Sequence, residues 1–318
     1  MPHVPGDGRE WRPVWDHVLM RLGYDVVDVF TDRPFAGNQL AVVHGADELS
    51  GAQCLAIAQE FGFSETTFPA TPVDAGREYA TRIFTPGQEI PFAGHPTLGT
   101  AWVLRERGLL TCDEVVQRCG AGPIAVRFGD DRVELSATPR DLAGPVGQDV
   151  VKDLLALVGL SLRDLAGDVW VAGCGLSFVH LPVREEAVLR AVASSGPLVD
   201  LAERLAPLGP LEDLLDALNV FAVAGQAPRL AVHARVFVPG VGVPEDPATG
   251  SAAAGLGMAL VAAGLLPDGG RYDITQGVEM GRPSRLHGRV EVADGRATRC
   301  HVAGQVQPVA SGEITVPG

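Results

Sequence analysis

Lysine is almost absent from this 318-residue chain, in which Lys152 is the only example. An enzyme that holds its cofactor as a Schiff base would have to use that one side chain. Lys152 lies at the polar start of "VVKDLLALVGL", a helical pattern whose charged positions indicate a solvated face. A pyridoxal phosphate enzyme is therefore disfavoured.

Basic residues are also scarce, because 25 Lys and Arg stand against 39 Asp and Glu, a net charge of −14. No cluster of basic residues interrupts this excess. Nucleic acids and anionic membrane surfaces bind clustered positive charge. We therefore expect neither as a partner.

Cysteine pairs and metal-ligand spacings are missing as well. The five cysteines are odd in number and form no CxxC pair, and the eight histidines show no HxH or HxxxH spacing. A disulfide framework and a metal site are both disfavoured, and a reducing cytoplasmic location fits. We expect catalysis, if any, to use side chains alone, without metal or cofactor.

One long uncharged run is present, in "EDPATGSAAAGLGMALVAAGLL" at residues 245–266. Its length would just satisfy a membrane span, but Ala and Gly dominate, which gives weak driving force for insertion. A helix that is apolar on all sides in a soluble chain is buried on all sides. The run predicts a central buried helix.

An internal repeat defines the architecture. "RIFTPG" at 82–87 returns as "RVFVPG" at 235–240, and "AGHPTLGTAWVLRERGLL" at 93–110 aligns with "TGSAAAGLGMALVAAGLL" at 249–266. Each copy reads as strand, Pro-Gly turn, loop with a carboxylate, then helix. The chain is therefore predicted to contain two similar halves, with a boundary in the Pro- and Gly-rich residues 136–149.

Most remaining segments alternate or are rich in β-branched residues, which predicts short strands. Further helices are predicted at 50–61, 148–158 and about 198–205. The fold class is α+β, with two pseudo-symmetric domains that are each a β-barrel-like curled sheet around a central helix.

The first turns of the two repeated helices are candidate ligand sites. Gly94 aligns with Gly250, and unpaired N–H groups at such turns attract anions. If a pseudo-twofold relates the halves, the two turns can face each other across a cleft and hold a small carboxylate. Two-base racemases of this plan need a thiol at each turn, so these glycines contradict a two-thiol racemase.

Glu65, in "FGFSETTFP", is a candidate acid or base. Phe61, Phe63 and Phe68 flank it, and apolar surroundings raise the pKa of a carboxyl towards the range that a proton shuttle needs. An exposed carboxylate in a turn is the alternative.

His95, Asp246 and Ser251 lie near the helix starts. Each also has a structural alternative: His95 could cap a helix or be a hydrogen-bonded core histidine, Ser251 could cap a helix, and Asp246 could complement the helix dipole. These structural roles are compatible with catalysis, so no single residue decides between them.

Five motifs occur in an order that resembles the PhzF-like family of phenazine biosynthesis isomerases, within the diaminopimelate epimerase fold. They are "DVFTDRPFAGNQLAVV", "FGFSETTF", "RIFTPGQEIPFAGHPTLGTA", "EDPATGSAAAG" and "QGVEMGRPS". The resemblance implies an N-terminal extension at 1–23, a first domain at 24–140 completed by about 304–318, and a second domain at 141–303. It also implies a homodimer and cofactor-free isomerisation of a dihydro-hydroxyanthranilate by proton movement between ring carbons.

The resemblance also implies roles for residues. Glu65 would shuttle the proton, and His95 and Asp246 would position the substrate and tune Glu65. Substrate binding would involve Asn38, Ser64, Gly94, Gly250 and Ser251.

We therefore expect a cofactor-independent isomerase that moves a proton or double bond in a small cyclic or unsaturated amino-acid-like carboxylate, in specialised metabolism. An epimerase with non-thiol bases and a non-catalytic binding protein of the same fold stay open as alternatives. Residues 160–225 match the family motifs poorly, and Cys174 within them is either at the pocket rim or a structural thiol.

Overall fold

The computed structural model describes residues 20–193, 201–208, 214–238 and 244–318. The elements of the first half are β1 (Arg21–Val29), β2 (Asn38–Val43), α1 (Gly51–Phe61), β3 (Glu65–Pro69), β4 (Glu78–Phe84), β5 (Glu89–Ile90), α2 (Gly94–Glu106), β6 (Glu114–Cys119), β7 (Gly122–Phe128), β8 (Val133–Ala137) and β9 (Asp141–Ala143).

The second half also consists mainly of strands around a central helix. Its elements are α3 (Gln148–Leu157), β10 (Trp170–Gly173), β11 (Ser177–Pro182), α4 (Glu185–Arg190), α5 (Leu201–Leu205), β12 (Leu214–Gln226), β13 (Arg229–Phe237), β14 (Glu245–Asp246), α6 (Gly250–Ala262), β15 (Gly270–Gln276), β16 (Ser284–Ala293), β17 (Arg296–Gly304) and β18 (Val306–Thr315).

Strand pairing repeats between the halves. In the first half β2 runs parallel to β3 and β4 runs parallel to β6, and the other pairs are antiparallel. In the second half β11 runs parallel to β12 and β13 runs parallel to β15, again among antiparallel pairs. The sequence repeat is therefore also a repeat of topology.

The halves are joined along strand edges. β8 pairs with β17, β9 pairs with β10, and β18 pairs with β1 from Thr315 opposite Arg21 to Val306 opposite Val29. Because β18 pairs along the whole of β1, the first strand begins at Arg21 and not after residue 23. β1 therefore includes Arg21, Leu22 and Gly23, which the predicted extension at 1–23 contained, and residues 1–19 lie outside the described ranges.

The two central helices are enclosed as predicted. In α6, eleven of thirteen residues are buried, and the helix packs on β10, β16 and β17. The uncharged run is longer than the helix, since the chain turns away at Gly264 with φ +71°, as it does at Gly108 after α2. No helix in the described ranges is long and apolar enough to cross a membrane. The predicted fold class is confirmed.

The other predicted helices are found with small changes. α1 begins after Ser50, which forms a capping box with Gln53, and α3 matches the prediction at 148–158. Residues 201–205 of the third predicted helix are helical, and residues 198–200 lie outside the described ranges.

Each repeated "R-x-F" strand carries the same ion pair. Arg82 donates to both carboxylate oxygens of Glu89 at 2.9 and 2.7 Å, and Arg235 donates to those of Glu245 at 2.8 and 2.7 Å. Each guanidinium also lies 5.0 Å from the ring of the phenylalanine two residues later. The pairs differ in exposure, because the side chains of Arg82 and Glu89 are 40% and 44% exposed and those of Arg235 and Glu245 are 9% and 11%.

This difference predicts unequal effects of one substitution at two equivalent positions. Arg235→Met leaves the buried Glu245 carboxylate unpaired and should lower the free energy of unfolding by about 3–5 kcal/mol. Arg82→Met breaks a solvated pair and should cost less than about 1 kcal/mol. Urea unfolding of the two variants measures both, and equal losses would contradict the asymmetry.

Candidate active site

The two central helices meet at their first residues. A Cβ atom on Gly94 would lie 2.9 Å from Cα of Gly250, and one on Gly250 would lie 3.2 Å from Cα of Gly94. Only glycine allows the backbones to approach this closely. The helix starts therefore face each other as predicted, but they touch, so a ligand between them requires the halves to separate.

Asn38, the first residue of β2, connects side chains from both halves. Its Nδ2 lies 2.8 Å from Asp246 Oδ1, 3.0 Å from the carbonyl of Ala248 and 3.2 Å from His95 Nδ1. An amide has two N–H donors for these three acceptors. On the other side, Asn38 Oδ1 accepts a hydrogen bond of 3.0 Å from the Ser64 hydroxyl.

Asp246 is fixed by residues that the sequence did not single out. Thr249 Oγ1 donates to Asp246 Oδ2 at 2.6 Å, and Gln276 Nε2 donates to the Asp246 carbonyl at 2.8 Å. Gln276 Nε2 also lies 3.1 Å from Thr249 Oγ1. Both residues stand inside quoted motifs, but nothing local marks them, because their roles come from contacts formed in the fold.

The Glu65 carboxyl lies at the start of β3, and its Oε2 atom is buried without a hydrogen-bond partner. Burial, followed by the negative charge of Asp246, raises the pKa of Glu65 to about 8, against a lowering effect of the Ser64 hydroxyl. That hydroxyl has one proton, which it shares with Asn38, so its support for a charged Glu65 is partial.

Burial also governs the neighbours of Glu65. It raises the pKa of Asp246 to about 6, although hydrogen bonds from Thr249 and Asn38 favour the charged form. Burial lowers the pKa of His95 to about 3. Near pH 7 the 3.4 Å contact between Glu65 Oε2 and His95 Nε2 therefore joins two neutral groups and is not an ion pair.

The structure thus brings Asn38, Ser64, Glu65, His95 and Asp246 together in one cluster. Their closeness depends on the pairing of β2 with β3 and on the approach of the two helix starts.

Ser251 lies to one side of this cluster. It lines a small cavity together with Phe92, Cys174 and Gly250. Cys174 is half-buried there, with its Sγ 3.7 Å from the sulfur of Met258. In the parts of the chain that the structure describes, no group of three or more His, Cys, Asp or Glu side chains could hold a metal ion.

Known proteins similar to this chain include a named isomerase and solved structures of the same fold. The trans-2,3-dihydro-3-hydroxyanthranilate isomerase of Pseudomonas aeruginosa is 34% identical over 289 residues, which cover 91% of this chain and 98% of that protein. A solved predicted epimerase from the same organism is 31% identical, with a TM-score of 0.74 and coverage of 93% of this chain and 100% of that one. The Bacillus anthracis phenazine biosynthesis protein of the PhzF family has a TM-score of 0.79 at 23% identity, over 94% and 100% of the two chains.

The relatives named as isomerases, which match this chain over almost its whole length, show that it is an isomerase. The model of the phenazine biosynthesis-like PhzC-PhzF family matches residues 27–312. The chain belongs to that family.

The raised pKa of Glu65 predicts a pH dependence of folding stability. Between the ordinary value of 4.5 and about 8, the folded protein keeps a proton that the unfolded chain releases, so stability falls as pH rises through this window. Glu65→Gln removes this dependence, and its melting temperature should fall less than that of the wild type between pH 5 and 8. Calorimetry of both proteins measures the two slopes.

The matched control is Glu60→Gln, which changes an exposed glutamate near the end of α1. It should keep the wild-type slope. Identical slopes for Glu65→Gln and the wild type would show that Glu65 is ionised in the folded protein at pH 7.

Proposed function

We propose that this isomerase moves a proton, and with it a double bond, within a small cyclic or unsaturated amino-acid-like carboxylate, using Glu65 as the only acid and base. The observation that carries the proposal is the Glu65 Oε2 atom, which is buried, has no hydrogen-bond partner and lies 3.4 Å from His95 Nε2. A pKa of about 8 lets one carboxyl take up and return a proton at similar cost near neutral pH.

The proposed reaction balances on one residue. The Glu65 carboxylate removes a proton from an sp³ carbon next to a double bond, so one C–H bond breaks and its electron pair shifts through the conjugated system. Protonated Glu65 then returns the proton to the far end of that system, where a new C–H bond forms. A single base acts from one side, so the transfer is suprafacial and needs no net proton from solvent.

Neighbouring groups have supporting roles in this proposal. Neutral His95 offers a ring nitrogen to Glu65 or to the substrate, and Asp246 adjusts the affinity of Glu65 for its proton. Neither helix start is capped by a side chain, so the N–H groups near Gly94, Gly250 and Ser251 suit a substrate carboxylate. Substrate would enter after the contact between Gly94 and Gly250 opens.

The substrate's own conjugation accepts the electron pair, so the proposed step requires neither a cofactor nor a metal. A small carboxylate is the expected ligand, and the family resemblance supports a homodimer, which sedimentation would test. Relatives named for trans-2,3-dihydro-3-hydroxyanthranilate make that compound the first substrate to assay.

Glu65→Gln should abolish catalysis while leaving the fold intact, because an amide cannot carry the proton. With trans-2,3-dihydro-3-hydroxyanthranilate as substrate, kcat should fall by about 10²- to 10⁴-fold or more. Circular dichroism checks the fold, and Glu60→Gln is the control that should keep wild-type turnover. An undiminished rate in Glu65→Gln would remove Glu65 from the mechanism.

Solvent exchange separates isomerisation from epimerisation. In D₂O, exchange of the Glu65 proton with solvent before its return should place deuterium on the ring or vinylic carbon that receives it, and Glu65→Gln should incorporate none. The product is analysed by NMR. Deuterium at Cα of a standard amino acid, with inversion there, would favour an epimerase with non-thiol bases instead.

A further inference from the structure

Residues 276–285 comprise the last residue of β15, the connection to β16 and the first two residues of β16, and they touch both halves beside the candidate site. We name them the bridging segment. At its first residue, Gln276 Nε2 donates to the Asp246 carbonyl at 2.8 Å and Gln276 Oε1 accepts from Thr249 N at 3.3 Å. This end of the bridging segment therefore fixes the turn that carries Asp246.

Arg282, near the other end, reaches into the first half. Its Nη2 donates to Asp28 Oδ1 at 2.5 Å and to the Ala36 carbonyl at 2.8 Å, and its Nε donates to the Gly37 carbonyl at 2.8 Å. Asp28 is 1% exposed and also accepts from Phe35 N at 2.6 Å. The rigid fork of a guanidinium can serve these acceptors together, whereas a lysine ammonium cannot reproduce that geometry.

The contacts with Ala36 and Gly37 hold the loop of residues 30–37, which lies between β1 and β2, and Asp28 near the end of β1 holds the same loop through Phe35 N. Two backbone hydrogen bonds add to them, from Gly37 N to the Pro283 carbonyl at 3.2 Å and from Arg285 N to the Phe30 carbonyl at 2.7 Å. The loop leads directly into Asn38. The bridging segment thus holds the backbone before Asn38 with one end and the turn of Asp246 with the other.

We propose that Arg282 is a positioning residue: by holding loop 30–37 against the bridging segment, it sets the Asn38 amide between Asp246 and His95. The inference rests on the proposed function, since it assigns Arg282 to the same proton-transfer site. The guanidinium contacts named above are with Asp28 and two carbonyl groups, so its effect on Glu65 passes through Asn38.

Displacement of the Asn38 amide should change the pKa of Glu65 in one direction. The Asn38 donor favours the charged form of Asp246, so a displaced amide raises the pKa of Asp246. Asn38 Oδ1 also accepts the Ser64 proton at 3.0 Å, so a displaced amide leaves that hydroxyl free to donate to the Glu65 carboxylate, which favours its charged form. The pKa of Glu65 therefore falls when Asn38 is lost or displaced.

Arg282→Lys tests this in the free protein, with Arg285→Lys as the matched control on the same segment. Arg285 is exposed, and its contact with loop 30–37 is made by its backbone. The readout is ¹³C NMR titration of glutamate carboxyls, in which the Glu65 signal is the one lost in Glu65→Gln. We expect Arg282→Lys to lower the Glu65 midpoint by about 0.5 unit or more and Arg285→Lys to leave it unchanged.

A double-mutant cycle asks whether Arg282 acts through Asn38. Asn38→Ala should lower the Glu65 midpoint in the same direction, and Arg282→Lys should add nothing further in that background. A wild-type midpoint in folded Arg282→Lys, or shifts that add in the double variant, would overturn the proposal.

Asp28→Asn serves if Arg282→Lys does not fold, because it removes the charge that orients Arg282 and keeps an acceptor for Phe35 N. Its midpoint is read in the same way. The titration needs no substrate, so a wild-type protein that fails to isomerise trans-2,3-dihydro-3-hydroxyanthranilate but titrates as expected would count against the proposed function and not against positioning by Arg282.

Discussion

Direct backbone contact between two helix starts is the constraint on which this structure depends. Gly94 and Gly250 lack the Cβ atoms that would hold the helices apart. The polar side chains beside the two helix starts therefore lie close to one another. Gly94, His95 and Gly250 are all buried at this junction. Ionisable side chains at this junction are buried, and burial disfavours their charged forms. The close approach of the two glycines therefore shifts the pKa values of the neighbouring carboxyl groups.

Those consequences are concentrated on two carboxyls. Burial raises the pKa of both Glu65 and Asp246, and the negative charge of Asp246 adds to the rise for Glu65. Asn38 and Thr249 donate to Asp246 but not to Glu65 Oε2. The protein therefore satisfies one carboxyl with hydrogen bonds and leaves the other free for a proton.

The two halves of the internal repeat have the same architecture but different residues at the site. Both halves share strand order, central helix and an Arg–Glu pair, yet His95 on one helix start aligns with Ser251 on the other. Glu65 in the first half has Asp246 of the second as its neighbour. A symmetric scaffold thus carries an asymmetric site, which the proposed use of Glu65 as both acid and base requires.

The sequence by itself determined the fold class, the repeat and the aligned glycines, because strand and helix periodicities and repeated motifs are local signals. The aromatic neighbours of Glu65 made it a candidate acid or base, with an exposed carboxylate in a turn as the alternative. Only the tertiary structure decided that Asn38 meets Asp246, 208 residues away, and that Arg235 is buried where its equivalent Arg82 is exposed. Burial and partners far along the chain set ionisation and hydrogen bonding, and no local pattern encodes them.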